Sequence, residues 1–252
     1  MRLSDMIRKF NAERCKYIKT DIREFDDTWA GLSVGELTVF ADRPAMGTFK
    51  LLCNFARNIS KRKETVLFIT NCKRDVMEQI IALKMEISSY KVSKLRCISD
   101  YNRYPNIKLP IYIEELFFFN KKRFENIIKN VRPKVIFIDL FALGFINPKK
   151  IKYLQDLAKN NQISIVLSAY LNRQVDERKI KYPRITDLYH RKQRGIIENI
   201  DTIFLLYREN YYKLTNETPE DIMNKFTIYE AKTFKCGYFR MIDSGEVIGY
   251  FD

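Results

Sequence analysis

Leu37-Thr-Val-Phe-Ala41-Asp42-Arg43-Pro44-Ala45-Met46-Gly47-Thr48-Phe49-Lys50 decides how the chain is read. An apolar strand, Leu37 to Ala41, runs into a short loop, and the loop runs into an amphipathic helix beginning near Thr48. That is the setting of a phosphate-binding loop, where backbone N–H groups and the positive end of a helix dipole face an anion. The full motif is G-x-x-x-x-G-K-[ST], with the Lys on the outer phosphates and the hydroxyl on magnesium. Here Asp42 stands at the first Gly, Thr48 at the Lys and Phe49 at the hydroxyl position. The spacing of the loop is kept and its charged and hydroxyl groups are not.

The 252 residues, 46% of them hydrophobic, suffice for one sizeable core. No apolar run approaches the ~20 residues of a membrane span, and the N-terminus is too polar for a signal peptide. Cys15, Cys53, Cys72, Cys97 and Cys236 show no paired or zinc-type spacing. They read as reduced thiols in a cytoplasmic protein with no metal site. The 45 Lys and Arg against 31 Asp and Glu leave a formal charge of +14. This suits an acidic partner such as nucleic acid. A compositional bias that enriches Lys together with Ile, Asn, Phe and Tyr accounts for the same number.

Leu3, Met6, Ile7 and Phe10 recur at i, i+3, i+4 and i+7, which predicts an amphipathic helix over 1–16 with Ser4 as its cap. Its stripe either folds back on its own domain or docks on a partner. Beyond it, apolar strand-like runs alternate with helical patterns, as in an α/β protein with a mostly parallel, buried sheet.

The segment from Thr20 to Gly47 carries a more specific pattern. Thr20, Ile22, Phe25, Asp26, Gly31, Leu32, Gly35, Glu36 and Leu37 precede Arg43-Pro44-Ala45-Met46-Gly47. This order resembles the C-terminal, RecA-like motor domain of the DnaB family of replicative helicases, whose loop reads Arg-Pro-Ser-Met-Gly. The likeness spans roughly residues 17–243. It implies a three-layer RecA-like P-loop NTPase fold, one such domain over 17–252, and absence of the family's N-terminal primase-binding domain.

On that resemblance the nucleotide-handling positions can be assigned. Arg43, Pro44, Ala45, Met46, Gly47 and Thr48 line a vestigial nucleotide site. Asp139, ending the strand Val135-Ile-Phe-Ile138, takes the place of the magnesium-holding carboxylate. Asn71 stands where the family's glutamate activates water, and an amide cannot accept that proton. After Ser168 one residue is added and the family's γ-phosphate-sensing Gln is gone. Phe234 replaces the arginine finger, between Lys232, which fits the family's first basic residue, and Lys235. A finger is worth about 10³–10⁵ in rate.

The family's first DNA-facing loop is cut short after Asp139, leaving Phe141 to Pro148. The second is longer and more basic, with Arg191, Lys192 and Arg194 as candidate DNA contacts. His190 is read as a solvated loop residue. Together these features predict a catalytically inactive relative of the motor domain, a scaffold or DNA- or protein-binding subunit without a required cofactor. Its expected partners are single-stranded DNA, weakly, and a replicative helicase or copies of itself, with no membrane. An active ATP- and magnesium-dependent helicase subunit with altered motifs is the alternative. A module binding another anion or nucleotide on the surviving backbone is a further one.

Overall fold

The computed structural model describes residues 2–4, 6, 16–44, 46–85, 87, 89–93, 108–139, 147–179, 181–188, 196–207, 235–241 and 247–251. The elements in chain order are β1 (Tyr17–Ile18), α1 (Arg23–Trp29), β2 (Leu32–Ser33), β3 (Leu37–Asp42), α2 (Thr48–Lys61), β4 (Val66–Thr70), α3 (Lys73–Met85) and α4 (Ser89–Ser93). There follow β5 (Ile111–Glu115), α5 (Lys121–Val131), β6 (Val135–Ile138), α6 (Pro148–Asn161), β7 (Ser164–Tyr170) and α7 (Gln174–Glu177). Strands β8 (Thr202–Tyr207), β9 (Lys235–Met241) and β10 (Val247–Phe251) complete the described elements.

One eight-stranded sheet runs in the order β10-β9-β8-β3-β7-β6-β4-β5. The six strands from β8 to β5 are parallel, and β9 and β10 add an antiparallel edge. Strands β3, β4 and β6 are buried at every position, which is why they read as unbroken apolar runs rather than alternating ones. Alternation still sorts their side chains between two cores. Leu37, Val39, Ala41, Ile136, Ile138, Ile165 and Leu167 pack beneath α5 and α6, against Phe124, Ile151 and Leu154. Phe40, Phe68, Phe137, Val166 and Phe204 face the other way, onto Leu52, Phe55 and Ile59 of α2 and Val76 and Ile80 of α3. Helices on both faces of the sheet give three layers.

Local chemistry fixes the helix ends. The Asn120 and Asn147 side chains accept the Arg123 and Lys150 N–H groups at the starts of α5 and α6. Pro148 then fills the first turn of α6, where no donor is needed. Ahead of the sheet, β1 pairs with β2, and the Asp26 carboxylate accepts the Thr20 N–H at 2.9 and 3.0 Å, the Thr20 hydroxyl at 2.9 Å and the Asp21 N–H at 2.9 Å. Gly31 follows at φ 113°, where an added Cβ would lie 2.3 Å from the Ile18 carbonyl oxygen. Only glycine fits that turn.

Most sequence expectations hold to within two residues, and the differences are informative. The strand expected to end at Ser168 continues to Tyr170, because β7 stays paired with β3 up to Asp42↔Tyr170. The strand expected over 109–114 begins at Ile111 and includes Glu115, and that expected over 238–242 runs from Lys235 to Met241. The strand expected over 226–231 lies outside the described residues. Helical backbone at Leu3, Ser4 and Met6 agrees with the predicted start of an N-terminal helix.

Candidate functional site at the strand–helix loop

Strands β3, β7 and β6 are neighbours, so their carboxyl ends bring Asp42, Tyr170, Ser168 and Asp139 to one rim of the sheet. Asp42, Ser168 and Tyr170 continue the series of Phe40 and Val166, on the α2 side. Asp139 follows Phe137 in the same way. The loop from Arg43 to Gly47 arches over this rim, and Gly47, at φ 113°, turns the chain into α2. The left-handed backbone there is what glycine supplies.

Asp42 is 1% exposed. Its Oδ2 accepts the Thr48 backbone N–H at 2.9 Å, so the carboxylate lies against the first turn of α2 from inside the loop. Its Oδ1 and the buried Thr48 Oγ1 have no hydrogen-bond partner among the described residues. Burial pushes the Asp42 carboxyl up to about 6, against the Thr48 side chain and amide, the Arg43 charge and the Gly47 amide, which pull it down. Thr48 Oγ1 thus stands near enough to influence the carboxylate without making a hydrogen bond of acceptable geometry.

Arg43 is held elsewhere. Its Nε donates to Asp176 Oδ2 at 2.9 Å, its Nη2 lies 2.8 Å from the same oxygen, and its Nη1 donates to the Leu171 carbonyl at 2.7 Å. The guanidinium therefore ties the loop to the segment after β7. Met46 is buried, Pro44 is exposed and Ala45 lies outside the described residues. Phe49 is partly buried among the α2-side core residues, its ring edge-on to Phe68 with centroids 6.2 Å apart.

Asp139 accepts the Ser168 hydroxyl at 2.8 Å, and its N–H donates to the Ile69 carbonyl at 2.8 Å. Burial pushes the half-exposed Tyr170 phenol up, and the Asp42 and Asp139 charges push it further. The buried Cys53 thiol of α2 is raised by burial and then by Asp139 and Asp75. Asn71 sits exposed in the turn after β4.

The structure thus brings Asp42, Thr48 and Asp139 to one rim and engages Arg43 with Asp176. Ser168, Tyr170 and Asp176 belong to the same neighbourhood, although none was expected there as a site residue. The extra residue after Ser168 was the available signal for Tyr170. Asp176 left none, since it lies 133 positions from Arg43. Phe234, Arg191, Lys192, Arg194, Ile7 and Phe10 lie outside the residues whose side chains are described. Leu3 and Met6 are exposed.

The sequence profile of the DnaB-like helicase C terminal domain matches residues 17–242. The chain belongs to this family. It is 25% identical over 228 residues to a probable replicative DNA helicase of Trieres chinensis, covering 79% of this chain and 49% of that protein. It is also 25% identical over 223 residues to the replicative DNA helicase DnaB of Mycoplasma pneumoniae, covering 77% and 47%. The chain therefore spans about half the length of these relatives. Among solved structures it resembles a DnaB-like replicative helicase described with its interactions with primase. The TM-score is 0.72 at 16% identity, covering 100% of this chain and 64% of that one. A second solved structure, an isolated ATPase domain, gives a TM-score of 0.68 at 18% identity, covering 99% and 92%. The three-layer architecture of this DnaB-like domain is accordingly RecA-like. Within it, Thr20, Asp26 and Gly31 of the family pattern perform structural tasks, holding the turn that precedes the first core strand.

Proposed function

We propose that this DnaB-like domain keeps the motor fold without the ATP cycle and serves as a non-catalytic scaffold or binding subunit in DNA replication. The observation that carries this reading is at positions 48 and 49. The Lys position holds a buried threonine, too short to reach an outer phosphate, and the hydroxyl position holds a phenyl ring packed toward Phe68. A magnesium nucleotide needs a cation and a hydroxyl where this chain supplies neither. Lys50 is a poor substitute, since two further helical residues turn a side chain by about 200°. Asp42 adds a negative charge where phosphates would sit, and Asn71 cannot act as a base. Asp139, though placed at the end of its strand as a magnesium carboxylate would be, is engaged by Ser168. No catalytic step follows from this donor set.

The binding roles rest on sequence. Arg191, Lys192 and Arg194 form the candidate contact with DNA phosphates. Leu3, Met6, Ile7 and Phe10 form the candidate contact with another copy or a replicative helicase, supported by the exposure of Leu3 and Met6. Deleting residues 1–16 should then weaken assembly, as read by sedimentation, while the domain stays folded. Unfolding would instead place the helix on its own core.

Calorimetric titration with magnesium ATP tests the central part. The expected dissociation constant is about millimolar or weaker, because the lost charged contacts are each worth about 1.5–3 kcal/mol. Thr48→Lys with Phe49→Thr should regain some affinity. Micromolar binding by the unmodified chain would overturn the proposal.

A further inference from the structure

A loop that has lost its cation still has its backbone. Helix α2 is 14 residues long, and the N–H groups of its first turn have no carbonyl partner within the helix. In a phosphate loop such groups point at an oxyanion, and the residue at the first Gly position has no side chain to interfere. In this chain that residue is Asp42, and its Oδ2 takes the Thr48 N–H at 2.9 Å. A carboxylate oxygen is chemically a close stand-in for a phosphate oxygen, with similar charge and acceptor geometry.

Two further atoms mark the same spot as a ligand position. Asp42 Oδ1 and Thr48 Oγ1 are both buried and both lack a hydrogen-bond partner among the described residues, in side chains of residues 1% and 3% exposed. Polar atoms buried this deeply are nearly always satisfied. The internal carboxylate therefore fills the cradle incompletely. It caps the Thr48 amide but leaves the Thr48 hydroxyl without a partner.

We propose that Asp42 is a built-in anion that masks the loop, and that the cradle beneath it still binds a diphosphate-type oxyanion once the carboxylate is removed. This rests on the reading of the loop as a former nucleotide site. It adds that the loss of ligand is enforced by occupation of the backbone cradle, over and above the missing lysine. Arg43 is not displaced in the process, because its guanidinium is already bound to Asp176 and the Leu171 carbonyl. The other titratable groups described on this rim are Asp139 and Tyr170, and both remain when Asp42 is replaced.

The test is calorimetry with inorganic pyrophosphate on the full chain, comparing wild type, Asp42→Gly and Asp42→Asn. Exchange of the Thr48 amide is followed by NMR in the same samples. Wild type should show no saturable binding and a protected Thr48 amide. Asp42→Gly should bind pyrophosphate at least about tenfold more tightly, with Thr48 exposed in the free protein and protected again on binding. Asp42→Asn keeps the shape and an acceptor but gives up the charge, so it should fall between the two. It decides the question alone if the glycine variant does not fold. Equal affinity in wild type and the folded variants, whether absent or present, would overturn the masking. ATP turnover by wild type would instead overturn the non-catalytic reading, so the two failures are distinguishable.

Discussion

A carboxylate at the end of a buried strand has few ways to be accommodated, and Asp42 uses the one that the following helix offers. It is desolvated, which disfavours its charge, and it is hydrogen-bonded by the Thr48 amide, which favours it. Desolvation wins, and the carboxyl titrates at about 6 instead of 3.8. Between these values the folded chain holds a proton that the unfolded chain has released, so the contribution of Asp42 to stability falls as pH rises from about 4 to 6. Above that window Asp42 costs a constant amount. Chemical denaturation of wild type and Asp42→Asn across pH 4–8 isolates this effect from the other carboxylates. The stability of wild type relative to the variant should fall by about 1.4 kcal/mol per pH unit inside the window and be flat above it. A difference independent of pH would mean that the carboxyl is not desolvated.

At the scale of elements, the unit β3–loop–α2 shows what was legible beforehand and what was not. The buried parallel strands were, because β3, β4 and β6 are continuous apolar runs with turn residues on either side. Helices α2, α5 and α6 were legible from their apolar stripes and the Asn caps before α5 and α6. The pair β1–β2 was not, since two-residue strands have no measurable period. The placement of Asp42, Thr48 and Asp139 on one rim followed from motif order alone. The engagement of Arg43 by Asp176, the Ser168–Asp139 hydrogen bond and the inward carboxylate of Asp42 all depend on strand adjacency. A linear pattern does not contain that information.

The loop at 189–195 is the element on which the DNA proposal stands. Three cations on one loop can contact phosphates without reading bases. Binding to single-stranded DNA should be weak and indifferent to sequence. If Arg191, Lys192 and Arg194 each take one phosphate, the log–log salt slope should be about −2 to −3, at roughly 0.7–0.9 per contact. Changing all three to Ala should flatten most of it. An unchanged slope would place the contact elsewhere on this basic chain.

The whole molecule has two well-packed cores, one on each face of a largely parallel sheet, and it belongs to a helicase-domain family whose architecture it reproduces. The positions that differ in chemistry gather at one rim and at the turns beside it, while the positions that hold the scaffold, such as Asp26 and Gly31, keep their structural work. That separation is what the non-catalytic proposal explains. Fold and stability are maintained by groups that do not include the loop's lost cation and hydroxyl. A scaffold role makes no demand on those lost groups, whereas a motor role cannot do without them. Steady-state ATP hydrolysis by the purified chain, with and without single-stranded DNA, separates the two most directly. The expected rate is indistinguishable from the protein-free blank in both conditions, and turnover above the blank that rises when DNA is added would contradict the scaffold role.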